Sequence, residues 1–188
     1  IVVHEMGHAL TARSYGWAPR ITLHVFGGVA SYNPTYETRF SRLLITAAGP
    51  GIQLLFAAAI WGLVLVAPGL VRGDAGYVDV TRPLYIFLLI ANTFWAIFNL
   101  LPIIPLDGGQ IARELIGFVD PAGGTRKALW LSLIVAVGLA VLAFAMWRDF
   151  FLTFFFGYLA YTNYSMIQQM FGPSYAGGCH GPSSGRAW

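Results

Sequence analysis

Charge is scarce in this sequence. Lys, Arg, Asp and Glu make up 10% of its 188 residues, where a soluble domain carries about 25%. Hydrophobic side chains reach 57%, aromatic ones 15%, and mean hydropathy is +0.65, a balance that argues against a water-soluble globule. Cysteine is nearly absent as well. Cys179 is the single thiol, so no internal disulfide can form, and neither a zinc ribbon nor a cysteine-ligated cluster can be built. Any metal must be held by His and carboxylate. The cations are few and scattered: 11 Lys+Arg against 8 Asp+Glu give a net charge of +3. They form no stripe for a phosphate backbone, which excludes a nucleic-acid partner. An initial Met and a basic leader are also missing. Ile1-Val2-Val3 opens inside an apolar helix pattern, which reads as a fragment or processed form whose upstream part completes that helix.

What is present is long apolar runs. Leu43–Val71, Leu84–Leu101, Ala128–Trp147 and Phe150–Met170 are free of charge, and crossing a hydrocarbon core of about 30 Å takes about 20 helical residues. Pro68-Gly69 would end the first, and Pro102 with Pro105 would stop the second. With the truncated helix Ile1–Tyr15 this predicts five visible crossings. Arg13, Arg20, Arg39 and Arg42 precede the second helix, and Arg113, Arg126 and Lys127 follow the third. The alternate loops hold only Arg72, Arg82 and Arg148. Because Lys and Arg favour the cytoplasmic face, the first set of loops is assigned there.

Between the first two crossings, Ile21–Phe26 alternates in the manner of a strand, Gly27-Gly28 can turn, and Val29–Tyr32 can return. The expected fold is therefore an all-α integral membrane protein, a polytopic helical bundle with a short membrane-associated β-hairpin. Its divisions are a core region at 1–118, truncated at its N-terminus, two further transmembrane helices at 119–171, and a flexible tail at 172–188 that is poor in core formers.

The chemistry is concentrated in His4-Glu5-Met6-Gly7-His8. Residues four apart on a helix differ by about 40° in azimuth and 6 Å in rise, so both imidazoles share one face. That suits two ligands of a tetrahedral zinc, while Glu5 can reach a water on the metal as general base. With four His and three Glu in the chain, a random H-E-x-x-H is expected roughly once in a thousand such sequences. A charged group at membrane depth costs about 2.5 to 3.5 kcal/mol, which metal coordination can offset and a cluster without a ligand cannot.

A catalytic zinc takes three protein ligands and keeps one position open. Asp107 is the best third donor, because Pro102 and Pro105 break the helix before it and Gly108-Gly109 allow close backbone approach. Two crossings separate its loop from that of the first helix, so His4, His8 and Asp107 can meet in the cytoplasmic half of the membrane. Glu37, Glu114 and Asp120 stay open on side alone, in ordinary solvated or amphipathic settings. Asp74, Asp79 and Asp149 fall on the opposite side. Asn99 is either a donor to a developing oxyanion or a helix-to-helix hydrogen bond, and Asn92 reads as a packing amide. His24 and His180 read as incidental polar residues.

These blocks resemble the site-2 protease family of intramembrane zinc metalloproteases, with the bacterial sporulation-type branch nearest. The likeness is carried by His4–His8 with Ala9–Gly16, by Ile21–Ala30 with Phe26-Gly27-Gly28, by Ala48-Gly49-Pro50, and by Asn99–Gly109. It implies a three-helix core with His4, His8 and Asp107 on one Zn2+ per chain and Glu5 as catalytic base. It further implies a multi-pass protein of the bacterial cell membrane that cuts membrane protein substrates in or near their transmembrane segments, from the cytoplasmic side. Where the family often has Asn, three positions after the Gly-Pro pair, this chain has Gln53. The competing readings are a silent relative that binds membrane proteins without cutting them and a small metal transporter.

Overall fold

The computed structural model describes residues 1–24, 27–31, 38–66 and 81–171. Helix α1 spans Val2–Ser14 and ends where Gly16 takes φ +80°, a conformation that suits a residue without Cβ. Trp17 N–H then donates to Ala12 O at 3.2 Å and Gly16 N–H to Arg13 O at 2.9 Å, the paired bonds of a Schellman motif. The accompanying apolar contact is made by Trp17, Ala12 and Ile45, all buried.

Strands β1, Arg20–His24, and β2, Gly27–Ser31, pair antiparallel with His24 opposite Gly27 and Arg20 opposite Ser31. Gly27 and Gly28 therefore belong to the second strand instead of forming the turn. The connection falls at 25–26, outside the described residues.

Helix α2, Arg39–Val66, has 28 residues, about 42 Å at 1.5 Å per residue. Thr38 Oγ1 accepts the Ser41 N–H at 3.1 Å while Ser41 Oγ accepts the Thr38 N–H at 3.0 Å, a reciprocal cap that satisfies donors at the helix start. Helix α3 covers Thr81–Asn99 and α4 covers Asp107–Val119. Helix α5, Gly124–Leu142, runs on through a π-helical turn at Ala143–Trp147. Arg148 at φ 52° reverses the chain, and Asp149 Oδ1 accepts the Leu152 N–H at 3.0 Å to cap α6, Phe150–Phe171.

Helix α2 is central, touching α1, α3 and α4, while α5 packs on α4 and α6. Gly7 brings α1 against α2, because a Cβ there would meet Ala48 O and Ile52. The core lies between α5, α6 and the segment before α4: Ile103, Ala136, Phe156, Leu159 and Ala160 form one cluster, and Ile104, Ala128, Leu129 and Ile167 another.

Among the described residues, two helices are long and apolar enough to cross a membrane, Arg39–Val66 and Gly124–Trp147. The sequence predicts five crossings, with Ile1–Tyr15, Leu84–Leu101 and Phe150–Met170 among them. Arg82, Asn92 and Asn99 dilute α3, and Thr162, Asn163, Ser165, Gln168 and Gln169 dilute α6. Helix α4 was not foreseen as a separate element; it fills what reads in the sequence as a cytoplasmic loop. The end of the first apolar run with Pro68-Gly69, the opposite loop with Asp74 and Asp79, Glu37, and the 172–188 tail with Cys179 and His180 lie outside the described residues.

Candidate metal centre

The histidines of α1 and the aspartate at the start of α4 meet. His4 Nε2 lies 2.9 Å from Asp107 Oδ2, His8 Nε2 lies 3.5 Å from the same oxygen, and the two Nε2 atoms are 3.1 Å apart. His4 is buried, and the Asp107 side chain is 17% exposed. The imidazole planes stand at 83° with centroids 4.7 Å apart, so the rings share a helix face without stacking.

Their orientation comes from α2. Gln53 Oε1 lies 3.1 Å from His4 Nδ1, and Ile45 O lies 2.7 Å from His8 Nδ1. A carbonyl oxygen can only accept, so each Nδ1 carries a proton and, in neutral rings, each Nε2 presents a lone pair. Gln53 is 1% exposed, which makes its amide a fixed partner for His4. Pro50 has no N–H to give to Thr46 O, so it interrupts the helical ladder of α2 in this turn. Gly49 supplies the room for the rings, because a Cβ there would fall on the His8 ring and press on His4.

Asp107 is placed by an irregular segment. Helix α3 stops at Asn99, and Leu100–Leu106 turn the chain before α4 begins at Asp107. Leu106 N–H donates to Ile103 O at 2.8 Å. Gly108 and Gly109 lie directly on this segment, where a Cβ would strike Leu100 O and the Ile103–Ile104 backbone. At the first position of α4, the carboxylate also sits at the positive end of the helix dipole.

The donor set fits a divalent cation. One donor atom each from His4, His8 and Asp107 lies within 4.8 Å of the others. Two nitrogen lone pairs and one carboxylate oxygen facing each other repel unless something positive lies between them. With both rings protonated at Nδ1, the buried Asp107 Oδ2 has no hydrogen-bond donor among the described residues. Ligands at about 2.0 to 2.1 Å from a tetrahedral zinc stand about 3.4 Å apart, close to the separations found here. Nitrogen and carboxylate donors with hydrogen-bonded second ring nitrogens are the usual surroundings of zinc.

Glu5 is buried beside His4 at 7% exposure, and no hydrogen bond ties its carboxylate to another described residue. Asn99 is buried at the end of α3, and no hydrogen bond ties its amide to another described residue, so the helix-to-helix bond allowed for it is not formed among them. Asn92 Nδ2 donates to Leu88 O of its own helix at 2.7 Å.

The other carboxylates are engaged elsewhere. The Glu114 side chain is 3% exposed and faces Arg113 at 3.1 Å, Arg42 at 3.6 Å and Arg39 at 3.7 Å, so it is a buried hub for arginines and not the solvated residue expected. Asp120 meets Lys127 Nζ at 2.9 Å and accepts the Gly123 N–H at 2.8 Å. Lys127 first and the Gly123 N–H second hold its carboxyl below the usual range.

The family model for peptidase family M50 matches residues 1–145. The words zinc metalloprotease stand in the names of several relatives. One from Synechocystis sp. is 30% identical over 147 residues, 78% of this chain and 36% of its own length. Rip3 of Mycobacterium tuberculosis is 33% identical over 117 residues, 62% of this chain and 28% of its own. MJ0392 of Methanocaldococcus jannaschii is 32% identical over 117 residues, 62% of this chain and 32% of its own. The chain thus spans about a third of the length of these curated relatives. A solved structure of a site-2 protease from Methanocaldococcus jannaschii aligns with a TM-score of 0.56 at 25% identity, covering 88% of this chain and 72% of that one. Given a model match over most of its length, the chain belongs to peptidase family M50.

Proposed function

We propose that this chain is the catalytic part of an intramembrane zinc metalloendopeptidase, hydrolysing peptide bonds in or near the transmembrane segments of membrane proteins. The observation that carries the reading is the meeting of His4 and His8 from α1 with Asp107 from α4, at separations of 2.9 to 3.5 Å between nitrogen and oxygen. In this reading His4, His8 and Asp107 hold one zinc per chain. A bound zinc would supply Lewis-acid polarisation of water and of the peptide carbonyl. Glu5 takes the proton of the attacking water and returns it to the leaving amine. Asn99, buried and without a partner among the described residues, would donate to the oxygen that gains charge.

A membrane setting is supported by the two helices long and apolar enough to cross, and by the outer faces of the others. Leu84, Phe87, Ile90, Phe94 and Ile97 of α3 and Phe150, Phe151, Phe154, Tyr158 and Tyr161 of α6 are all exposed, surfaces that suit lipid. We place α1, α3 and α6 in the membrane with α2 and α5, and the metal centre toward the cytoplasmic face, where Arg13, Arg39, Arg42, Arg113, Arg126 and Lys127 collect. The irregular segment before Asp107 is tolerable at membrane depth only where protein or a wet cavity surrounds it.

A helical substrate has its carbonyls hydrogen-bonded and must unwind before water can attack, so helix-breaking substrates are favoured. The unwound stretch can add as a strand to the edge of the β1–β2 pair. Phe26, on which the sporulation-type branch assignment depends, lies outside the described residues.

The test is Glu5→Gln against the parent chain on a panel of single-span substrates in liposomes, with zinc measured in parallel. Cleavage should be lost while zinc is largely retained. Cleavage that survives the substitution removes Glu5 from the mechanism, and zinc transport into liposomes without cleavage would favour a carrier instead.

A further inference from the structure

Helices α5 and α6 contribute no donor to the metal centre, yet each buries one polar side chain against the segment that delivers Asp107. Ser132 of α5 and Asn163 of α6 are both 0% exposed. Ser132 Oγ accepts the Ile104 N–H at 3.1 Å and donates its own proton to Ala128 O at 2.9 Å. Asn163 Nδ2 donates to Ile104 O at 2.7 Å and to Leu159 O at 2.8 Å. Both backbone polar groups of Ile104 are therefore held, each by a different helix, three residues before Asp107.

We infer that Ser132 and Asn163 are positioning residues that clamp Ile104 and so fix Asp107 opposite His4 and His8. The inference rests on the zinc reading above and adds to it a role for the last two helices. The link from Ile104 to Asp107 has little slack. Pro105 restricts its own φ, Leu106 N–H is tied back to Ile103 O at 2.8 Å, and Gly109 lies on the Ile103–Ile104 backbone with no room for a Cβ. A shift of the Ile104 peptide therefore moves the first turn of α4, and Asp107 moves with it.

The amide of Asn163 is also a costly choice for an interior position. Its Oδ1 is buried without a hydrogen bond among the described residues, and an unsatisfied buried polar atom calls for an explanation. The amide is accounted for by its other end, which spends both donor hydrogens on two carbonyls, one of them Ile104 O.

The experiment uses the whole chain in detergent. Zinc affinity is measured by chelator competition, coordination geometry by the visible absorption of the Co2+-substituted protein, and stability by the thermal midpoint. Ser132→Ala removes the oxygen that accepts the Ile104 N–H; Asn163→Ala removes the donor to Ile104 O. Leu139→Ala loosens the same helix pair two turns from Ser132 and leaves both hydrogen bonds to Ile104 in place. Both clamp variants should weaken zinc binding by about tenfold, the low end of what outer partners of ligands supply, and should shift the cobalt bands. Leu139→Ala should lower the thermal midpoint with affinity and spectrum unchanged.

Clamp variants with the parent's zinc affinity and cobalt spectrum overturn the inference, as does Leu139→Ala weakening zinc to the same degree. Should Asn163→Ala fail to fold, Ser132→Ala decides alone. A parent chain that takes up neither zinc nor cobalt overturns the zinc reading itself, an outcome distinct from the others.

Discussion

The two walls of the metal centre are built by opposite means. His4 and His8 stand on a regular helix whose backbone needs no outside help, and only their rings have to be oriented, by Gln53 Oε1 and Ile45 O. Asp107 follows an irregular segment, where the side chain is placed by immobilising backbone: Ser132 and Asn163 on Ile104, and Gly108 and Gly109 closing on Leu100 through Ile104. A helix fixes the relation of two residues by its own repeat. A broken chain has no such repeat, and neighbouring elements must supply the constraint. The helical wall should therefore be sensitive to steric intrusion and to loss of ring partners, and the irregular wall to its carboxylate and backbone anchors.

The largest effect is expected at Gly49. Ala at that position puts a Cβ onto the His8 ring, so zinc affinity should fall by more than the 10- to 100-fold typical of outer partners. Gly51→Ala, where a Cβ meets nothing within 4 Å, should leave affinity unchanged, and equal losses in the two variants would refute the steric account. Next comes Asp107→Ala, which should weaken zinc binding strongly while the thermal midpoint of the metal-free chain changes little. Unchanged zinc affinity would remove Asp107 from the ligand set and break the comparison outright.

Gln53→Met keeps the size of the side chain but removes the acceptor of the His4 Nδ1 proton. Zinc affinity should drop by about tenfold to 100-fold, the range for loss of such a partner, with Gln53→Glu recovering most of it. The smallest effect is expected away from both walls, at Asp120→Asn. The Asp120 carboxyl is held below its usual range by Lys127 and the Gly123 N–H. Its contribution to stability is thus complete above the ordinary carboxylate value, about 3.9, and is lost as the pH falls through the lower folded value. The thermal midpoints of parent and variant should differ slightly near neutrality and converge in acid, and a gap that widens in acid would contradict the sign.

The regular wall was the legible one. The four-residue spacing of His4 and His8 and the reach of Glu5 follow from helix geometry, and H-E-x-x-H states them in five letters. Asp107 was legible through chain breakers, because two prolines ahead of a lone acid mark a break in the helix and two glycines behind it allow close backbone approach, although those glycines fall inside α4. The partners were less so. Gln53 was noticed only for standing where related chains often have Asn, and its bond to His4 depends on how far α2 is rotated, which apolar periodicity alone does not set. Gly49 was noticed only as part of a resemblance.

Ser132 and Asn163 were missed. An Asn inside an apolar run is a functional signal by cost alone, and Asn163 carries that signal in the Phe150–Met170 run. Glu114 was misjudged for a related reason: the three arginines around it come from α2 and α4, and helix α4 itself was read as a loop.

The closeness of His4 to His8 in sequence and the remoteness of Asp107 have a consequence for biogenesis. A chain made from its N-terminus presents both imidazoles together in α1, and the acid donor only ninety-nine residues after His8. Until then the nascent chain offers two of the three proposed ligands. In the proposed reading, metal capture is thereby deferred until α3 and the turn beyond it have been made.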